Sequence, residues 1–230
     1  SIMLNQLLIN ILCGNRKIKM KNDPQYSEQV SYIGQVSIGE LMPRKWPQWL
    51  SRCSSWLLTQ RGWTLKGELI NAPKAILAVA PHTSNWDFFI GLLVVFSCQL
   101  KLSFFGKHSI FVPPLGYIVR KLGGIPIERS RAHGVVTAIA SQISQSEDLI
   151  LALAPEGTRK AAFPWKQGFV HIAKQAQIPI QLIGLDYKHK QIVFGPVISE
   201  VTNTHEQMQT ICAFYGNVCG KYPKNCITQP

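Results

Sequence analysis

The sequence predicts an α/β domain in which helices cover a mostly parallel central sheet, preceded by an N-terminal amphipathic helix. Short, almost wholly apolar runs such as Ala75 to Ala80 and Leu149 to Leu153 have the length and composition of strands buried on both faces. Longer segments with apolar residues at helical spacing alternate with them, as expected where helices cover a parallel sheet. The 230 residues suffice for one large domain, or a domain with a small appendage, and 46% hydrophobic against 16% charged residues is a globular composition.

Taken in order, Ala75 to Ala80 reads as a strand and about Asn85 to Leu100 as a helix. Leu102 to Phe105 is a strand, Leu115 to Leu122 a helix and Ile125 to Glu128 a strand. A helix is expected from about Ala132 to Ser146, then the strand Leu149 to Leu153. Beyond a loop come a helix near Phe169 to Ala176 and strands at Ile180 to Tyr187 and Gln191 to Phe194. There are no internal repeats and no low-complexity tracts.

The first 41 residues look unlike the rest and are expected to be an accessory or poorly ordered leader, with Met42 as the original start. Residues 42–63 are expected to carry a basic, Trp-rich amphipathic helix, and residues 64–230 the main domain. Trp46, Trp49, Leu50, Cys53, Trp56 and Leu57 recur at helical spacing, flanked or opposed by Arg44, Lys45, Arg52 and Arg61. No acidic residue lies between Met42 and Trp63, and four of the six tryptophans do. Such a helix suits a membrane interface, with rings at headgroup level and cations toward anionic lipid. The alternative is an ordinary helix that packs its Trp face onto the domain.

Twenty-four Lys and Arg against 12 Asp and Glu give a net charge of +12, which suits an anionic partner. The basic residues are scattered and accompany no nucleic-acid-binding motif, so no nucleic acid is expected. The six cysteines form no Cys-x-x-Cys pair, and no metal site is expected. The seven-residue steps from Cys212 to Cys219 to Cys226 would bring these thiols near one helical stripe. No run approaches the ~20 apolar residues that span a bilayer, and residues 2 to 13 lack the flanks of a secretory signal.

The chemistry-bearing segments leave predicted strands at their carboxyl ends, where open α/β sheets place ligand sites. The first is Pro81-His82-Thr83-Ser84-Asn85-Trp86-Asp87. A histidine can accept a proton near neutral pH, and a carboxylate can hold its ring and stabilise the imidazolium. Asp87 serves if His82 lies in the loop and Asp87 in the first turn of the next helix. The same residues also fit a capping box, with Ser84 as N-cap and Asp87 at N3. The second segment is Gly123-Gly124-Ile125-Pro126-Ile127-Glu128-Arg129, and the third Ala154-Pro155-Glu156-Gly157-Thr158-Arg159. Glycine allows close backbone approach, Thr158 offers a hydroxyl, and Arg129 and Arg159 suit bidentate phosphate binding. The fourth, Ile178-Pro179-Ile180, by itself marks a turn.

Together, in this order, these segments resemble the four blocks of the glycerolipid acyltransferase family, typified by 1-acyl-glycerol-3-phosphate acyltransferases. The likeness runs from about Met42 to Lys224 and includes Lys107, Pro114 and Gly116. It implies that His82 takes the proton of an acceptor hydroxyl attacking the thioester of acyl-CoA or acyl-carrier protein, with Asp87 orienting it. Lys107, Arg129, Glu156, Gly157, Thr158 and Arg159 would hold the phosphate or headgroup of a lysophospholipid acceptor. Glu156 would orient Arg129 or another donor, or bind a glycerol hydroxyl, and Pro179 would shape the pocket. The acyl thioester is a co-substrate, and no cofactor is implied. The basic helix would dock the enzyme on an anionic membrane surface, as a peripheral protein of its cytoplasmic face. Pro81, Pro126 and Ala154 depart from residues common in the family and bear on acceptor identity. A non-catalytic phospholipid-binding module, or transfer to a different hydroxylated lipid, would keep the basic groups as well. A hydrolase is disfavoured, since no Gly-x-Ser-x-Gly elbow is present.

Overall fold

The computed structural model describes residue 36 and residues 38–127, 134–158 and 164–223, all within the compact unit Ser31–Pro230. Its elements are α1 (Gln48–Gln60), β1 (Thr64–Gly67), β2 (Lys74–Ala80), α2 (Trp86–Ser97), β3 (Ser103–Lys107) and α3 (Leu115–Lys121). There follow β4 (Gly124–Ile127), α4 (Val135–Gln145), β5 (Leu149–Leu153), α5 (Gly168–Ala176), β6 (Ile180–Asp186), β7 (Gln191–Ile198) and α6 (Thr204–Tyr215). The seven strands form one sheet in the order β1-β7-β6-β2-β5-β3-β4. The five from β6 to β4 run parallel, whereas β7 pairs antiparallel with β6 and carries β1 in its own direction.

The central strands are apolar on both sides because helices cover both faces. All seven residues of β6 are buried. Its one amide, Gln181, is satisfied by the carbonyls of Glu68 and Gly195 and by the Ile70 N–H. Strand alternation divides the core. Ile76, Ala78 and Ala80 of β2 face a cluster with Ile143 of α4, Val170 of α5 and Ile211 of α6. Ala75 and Leu77 face the other cluster, with Leu58 of α1 and Val94 of α2. Helix α3 lies on this second face, where the backbones of Gly106 and Gly124 leave room for Phe111.

The strands and helices expected from Ala75 onward are present, with ends shifted by a few residues. Three elements went unread, one of them a single 3-10 turn at His108–Ile110. β1 is only four residues long, and α6 buries a sparse stripe, Met208, Ile211 and Tyr215, on a mostly polar helix. The Trp-rich helix is confined to Gln48–Gln60. Residues 43–47 are extended instead: Arg44 bridges Leu100, and the Lys45 N–H donates to the Gln99 carbonyl at 2.9 Å. Pro47 explains the boundary, since the residue before a proline avoids helical geometry while proline itself suits a helix start. Val36 and Ile38 pack with the α1–α2 core, so the folded unit begins before Met42. Cys219 lies beyond the end of α6, so it shares no helical stripe with Cys212, and Cys226 is outside the described residues.

Candidate active site

β2 and β5 are neighbours, but their outgoing connections part. The chain leaving β2 enters α2 on one face of the sheet, and the chain leaving β5 enters α5 on the other. Adjacent strands that send their connections to opposite faces open a crevice at their carboxyl ends. His82 follows β2 into that crevice and Glu156 follows β5.

Asp87 occupies the first turn of α2 and is 3% exposed. Its Oδ2 lies 3.3 Å from His82 Nδ1 and accepts the backbone N–H groups of Thr83 at 2.8 Å and Ser84 at 2.7 Å. Its Oδ1 accepts the Tyr187 hydroxyl at 2.6 Å. The helix begins at Trp86 with Asn85 as its N-cap, one residue later than the capping-box reading with Ser84 expected. The Asp87 carboxylate reaches back to the Ser84 N–H, as in a capping box, and the same oxygen orients His82. The forward half of the box differs, since Ser84 Oγ accepts from Trp86 N at 3.1 Å. Burial pushes the Asp87 pKa up, but hydrogen bonds from His82, Tyr187 and Ser84 outweigh it and hold the group below the usual value. The His82 side chain is 26% exposed. With Nδ1 on the carboxylate, Nε2 is the nitrogen left for a reacting proton.

Glu156 is buried, and its Oε2 accepts the backbone N–H of His82 at 2.6 Å. Burial drives its pKa up to about 7 against the partial relief of that one bond. The carboxylate read from sequence as a partner for an arginine or a substrate thus grips the loop that carries His82. Gly157 follows in a left-handed turn, φ 64°, which favours glycine, and Thr158 comes next. Lys107 ends β3 and is exposed on the same rim. Arg129 and Arg159 lie outside the described residues.

Two of the four sequence blocks contribute at the other end of the sheet. Pro179 precedes β6, and its carbonyl accepts the Ile76 N–H near the start of β2. At ~3.3 Å per strand residue this is roughly 20 Å from His82, so Pro179 does not shape the pocket. Gly123 precedes β4, where its φ of 99° and the Leu102 carbonyl, 2.0 Å from any added Cβ, leave room for glycine alone.

Tyr187 and the C-terminal segment were missed. Tyr187 immediately follows β6, and its ring meets Trp63 edge-on at 4.9 Å. Burial, then the bond to Asp87, raise its pKa and keep it a donor. Past α6, the Tyr222 N–H donates to Thr83 Oγ1 at 3.2 Å, and Lys221 Nζ stands 4.9 Å from the centre of the Trp86 ring. A tyrosine at the carboxyl end of a fully buried strand was the available signal for the first. Nothing in the sequence announced the second.

Comparison with known families gives the class to which this α/β chain belongs. Residues 63–185, more than half of the chain, match the Acyltransferase family, and the chain belongs to it. Among curated proteins it is similar to the 1-acyl-sn-glycerol-3-phosphate acyltransferase of Limnanthes alba, 34% identical over 79 residues, which are 32% of this chain and 28% of that one. The protein of the same name from Saccharomyces cerevisiae is 28% identical over 122 residues, 50% of this chain and 39% of the relative. The matches thus span well under half the length of these relatives. The fold is similar to that of the 1-acyl-sn-glycerophosphate (LPA) acyltransferase PlsC from Thermotoga maritima. The TM-score is 0.53 at 13% identity, over 73% of this chain and 76% of that one.

Proposed function

We propose that the protein transfers a fatty acyl group from a thioester of coenzyme A or acyl-carrier protein to the hydroxyl of a lysophospholipid such as 1-acyl-glycerol-3-phosphate. The observation that carries this reading is the His82–Asp87 contact, made by a buried carboxylate whose oxygens have four protein donors. In the reaction, His82 Nε2 takes the acceptor O–H proton as that oxygen attacks the thioester carbonyl. Collapse of the adduct forms the ester and releases the thiolate, which takes the proton back from the imidazolium. Asp87 stays ionised throughout and offsets the imidazolium charge. No acyl-enzyme is required, since the thioester is already activated. Lys107, Gly157 and Thr158, with Arg129 and Arg159, are the groups assigned to the acceptor phosphate.

The test is product formation from labelled acyl-CoA or acyl-carrier protein over a panel of hydroxylated acceptors with and without phosphate. Transfer to phosphate-bearing lysolipids is expected. Tight lipid binding without product would favour the non-catalytic module.

The reading includes peripheral docking on an anionic bilayer from the cytoplasmic face. Its support is the orientation of α1, which turns Ser54, Ser55 and Leu58 inward and leaves Trp49 66% and Trp56 45% exposed. That exposure supports docking over the alternative in which the whole Trp face packs onto the domain. Trp46, before the helix, leans inward, edge-on to Phe96 at 4.8 Å, and Trp63, beyond it, is buried. Replacing Trp49 and Trp56 with Ser should release the protein from phosphatidylglycerol vesicles in co-sedimentation. Unchanged binding by the folded variant would end the docking proposal.

A further inference from the structure

Asp87 Oδ2 is fixed by its own loop, through the Thr83 and Ser84 N–H groups, while Oδ1 is held from a different strand by Tyr187 at 2.6 Å. Tyr187 is itself anchored: its backbone N–H donates to the Cys219 carbonyl at 2.8 Å and its ring abuts Trp63. The other ionisable groups around the pair are Glu156 beyond β5, held to the His82 backbone, and Lys221 and Tyr222 of the C-terminal segment.

We propose that Tyr187 is a positioning residue for acyl transfer: it locks the plane of the Asp87 carboxylate toward His82 Nδ1 and sets how strongly His82 binds a proton. A phenol donating to Oδ1 draws negative charge from the carboxylate, so Asp87 stabilises the imidazolium less than it would alone. Removing the hydroxyl returns that charge to Asp87 and lets the carboxylate turn. A role confined to satisfying a buried carboxylate would affect stability and leave the titration of His82 where it was.

The inference rests on the acyl-transfer reading, and the experiment separates the two. His82 is titrated by NMR in histidine-labelled full chain, its signals assigned by their loss in His82→Gln, and transfer rates are measured against pH. In Tyr187→Phe the His82 midpoint should rise by about half to one unit. kcat should fall about tenfold at neutral pH, with the thioester KM little changed. 3-Fluorotyrosine introduced at position 187, a stronger donor of nearly the same shape, should move the midpoint the opposite way, and it serves if the phenylalanine variant does not fold. Midpoints unmoved within about 0.2 unit would overturn the proposal. A midpoint that moves in a protein inactive on every acceptor would sink the transferase reading and leave the role of Tyr187 standing.

Discussion

The two ends of the sheet differ in what they ask of their residues. At the carboxyl end, His82, Asp87, Glu156 and Tyr187 arrive from three strands and are joined by polar contacts of 2.6–3.3 Å. At the amino end, Gly123 and Pro179 belong to equally recognisable sequence blocks, yet their parts are structural: Gly123 leaves room for the Leu102 carbonyl, and the Pro179 carbonyl accepts the Ile76 N–H. A sequence block therefore does not mark its residues as part of a site. In a parallel sheet, a residue before a strand and a residue after one stand at opposite poles, and the chemistry collects at the pole where connections diverge.

That contrast is exposed to direct test. The largest effect is expected from His82→Ala, which should lower kcat by about 10²–10⁴-fold while the thermal midpoint holds, because the ring contributes little packing. Comparable turnover in the folded variant would remove the general base and, with it, the special status of this end. Gly123→Ala should do the reverse. A Cβ at φ 99°, 2.0 Å from a carbonyl oxygen, should cost up to about 3 kcal/mol in urea unfolding, with KM unchanged in whatever folds.

Glu156→Gln sharpens the comparison, because Glu156 links the site to stability. Its folded pKa is raised from 4.5 to about 7, so between these values the folded protein keeps a proton that the unfolded chain has released. The stabilisation is complete below 4.5 and is lost as pH rises through about 7. Wild type should thus shed about 3 kcal/mol across that window from this group, whereas Glu156→Gln, which keeps an acceptor for the His82 N–H, should not. An identical pH–stability profile would show that the carboxylate is not held protonated by burial. Asp87 works in the opposite sense, adding stability above its ordinary 3.8 that is lost as pH falls through its lower folded value. The smallest effect is expected for Pro179→Ala: about 0.5 kcal/mol of stability and no change in kcat/KM. A kinetic defect there would restore Pro179 to the site.

Periodicity and composition by themselves determined the α/β class, the strands and helices from Ala75 to β7, and the adjacency of His82 to Asp87, because each is local. A buried strand must be apolar, and a loop followed by a helix brings residues five apart within reach. The Trp-rich segment was likewise legible as a helix, since its apolar spacing is intrinsic, but not which way it faced. In the folded chain Ser54, Ser55 and Leu58 turn inward, while Trp49 and Trp56 turn out. Only the tertiary structure decided that Glu156 grips the His82 backbone, that Tyr187 completes Asp87, and that Pro179 stands at the far pole. These depend on strand order, β6-β2-β5. Sequence cannot supply that order, because pairing between parallel strands is set by how whole helical layers pack and not by any residue in the strands themselves.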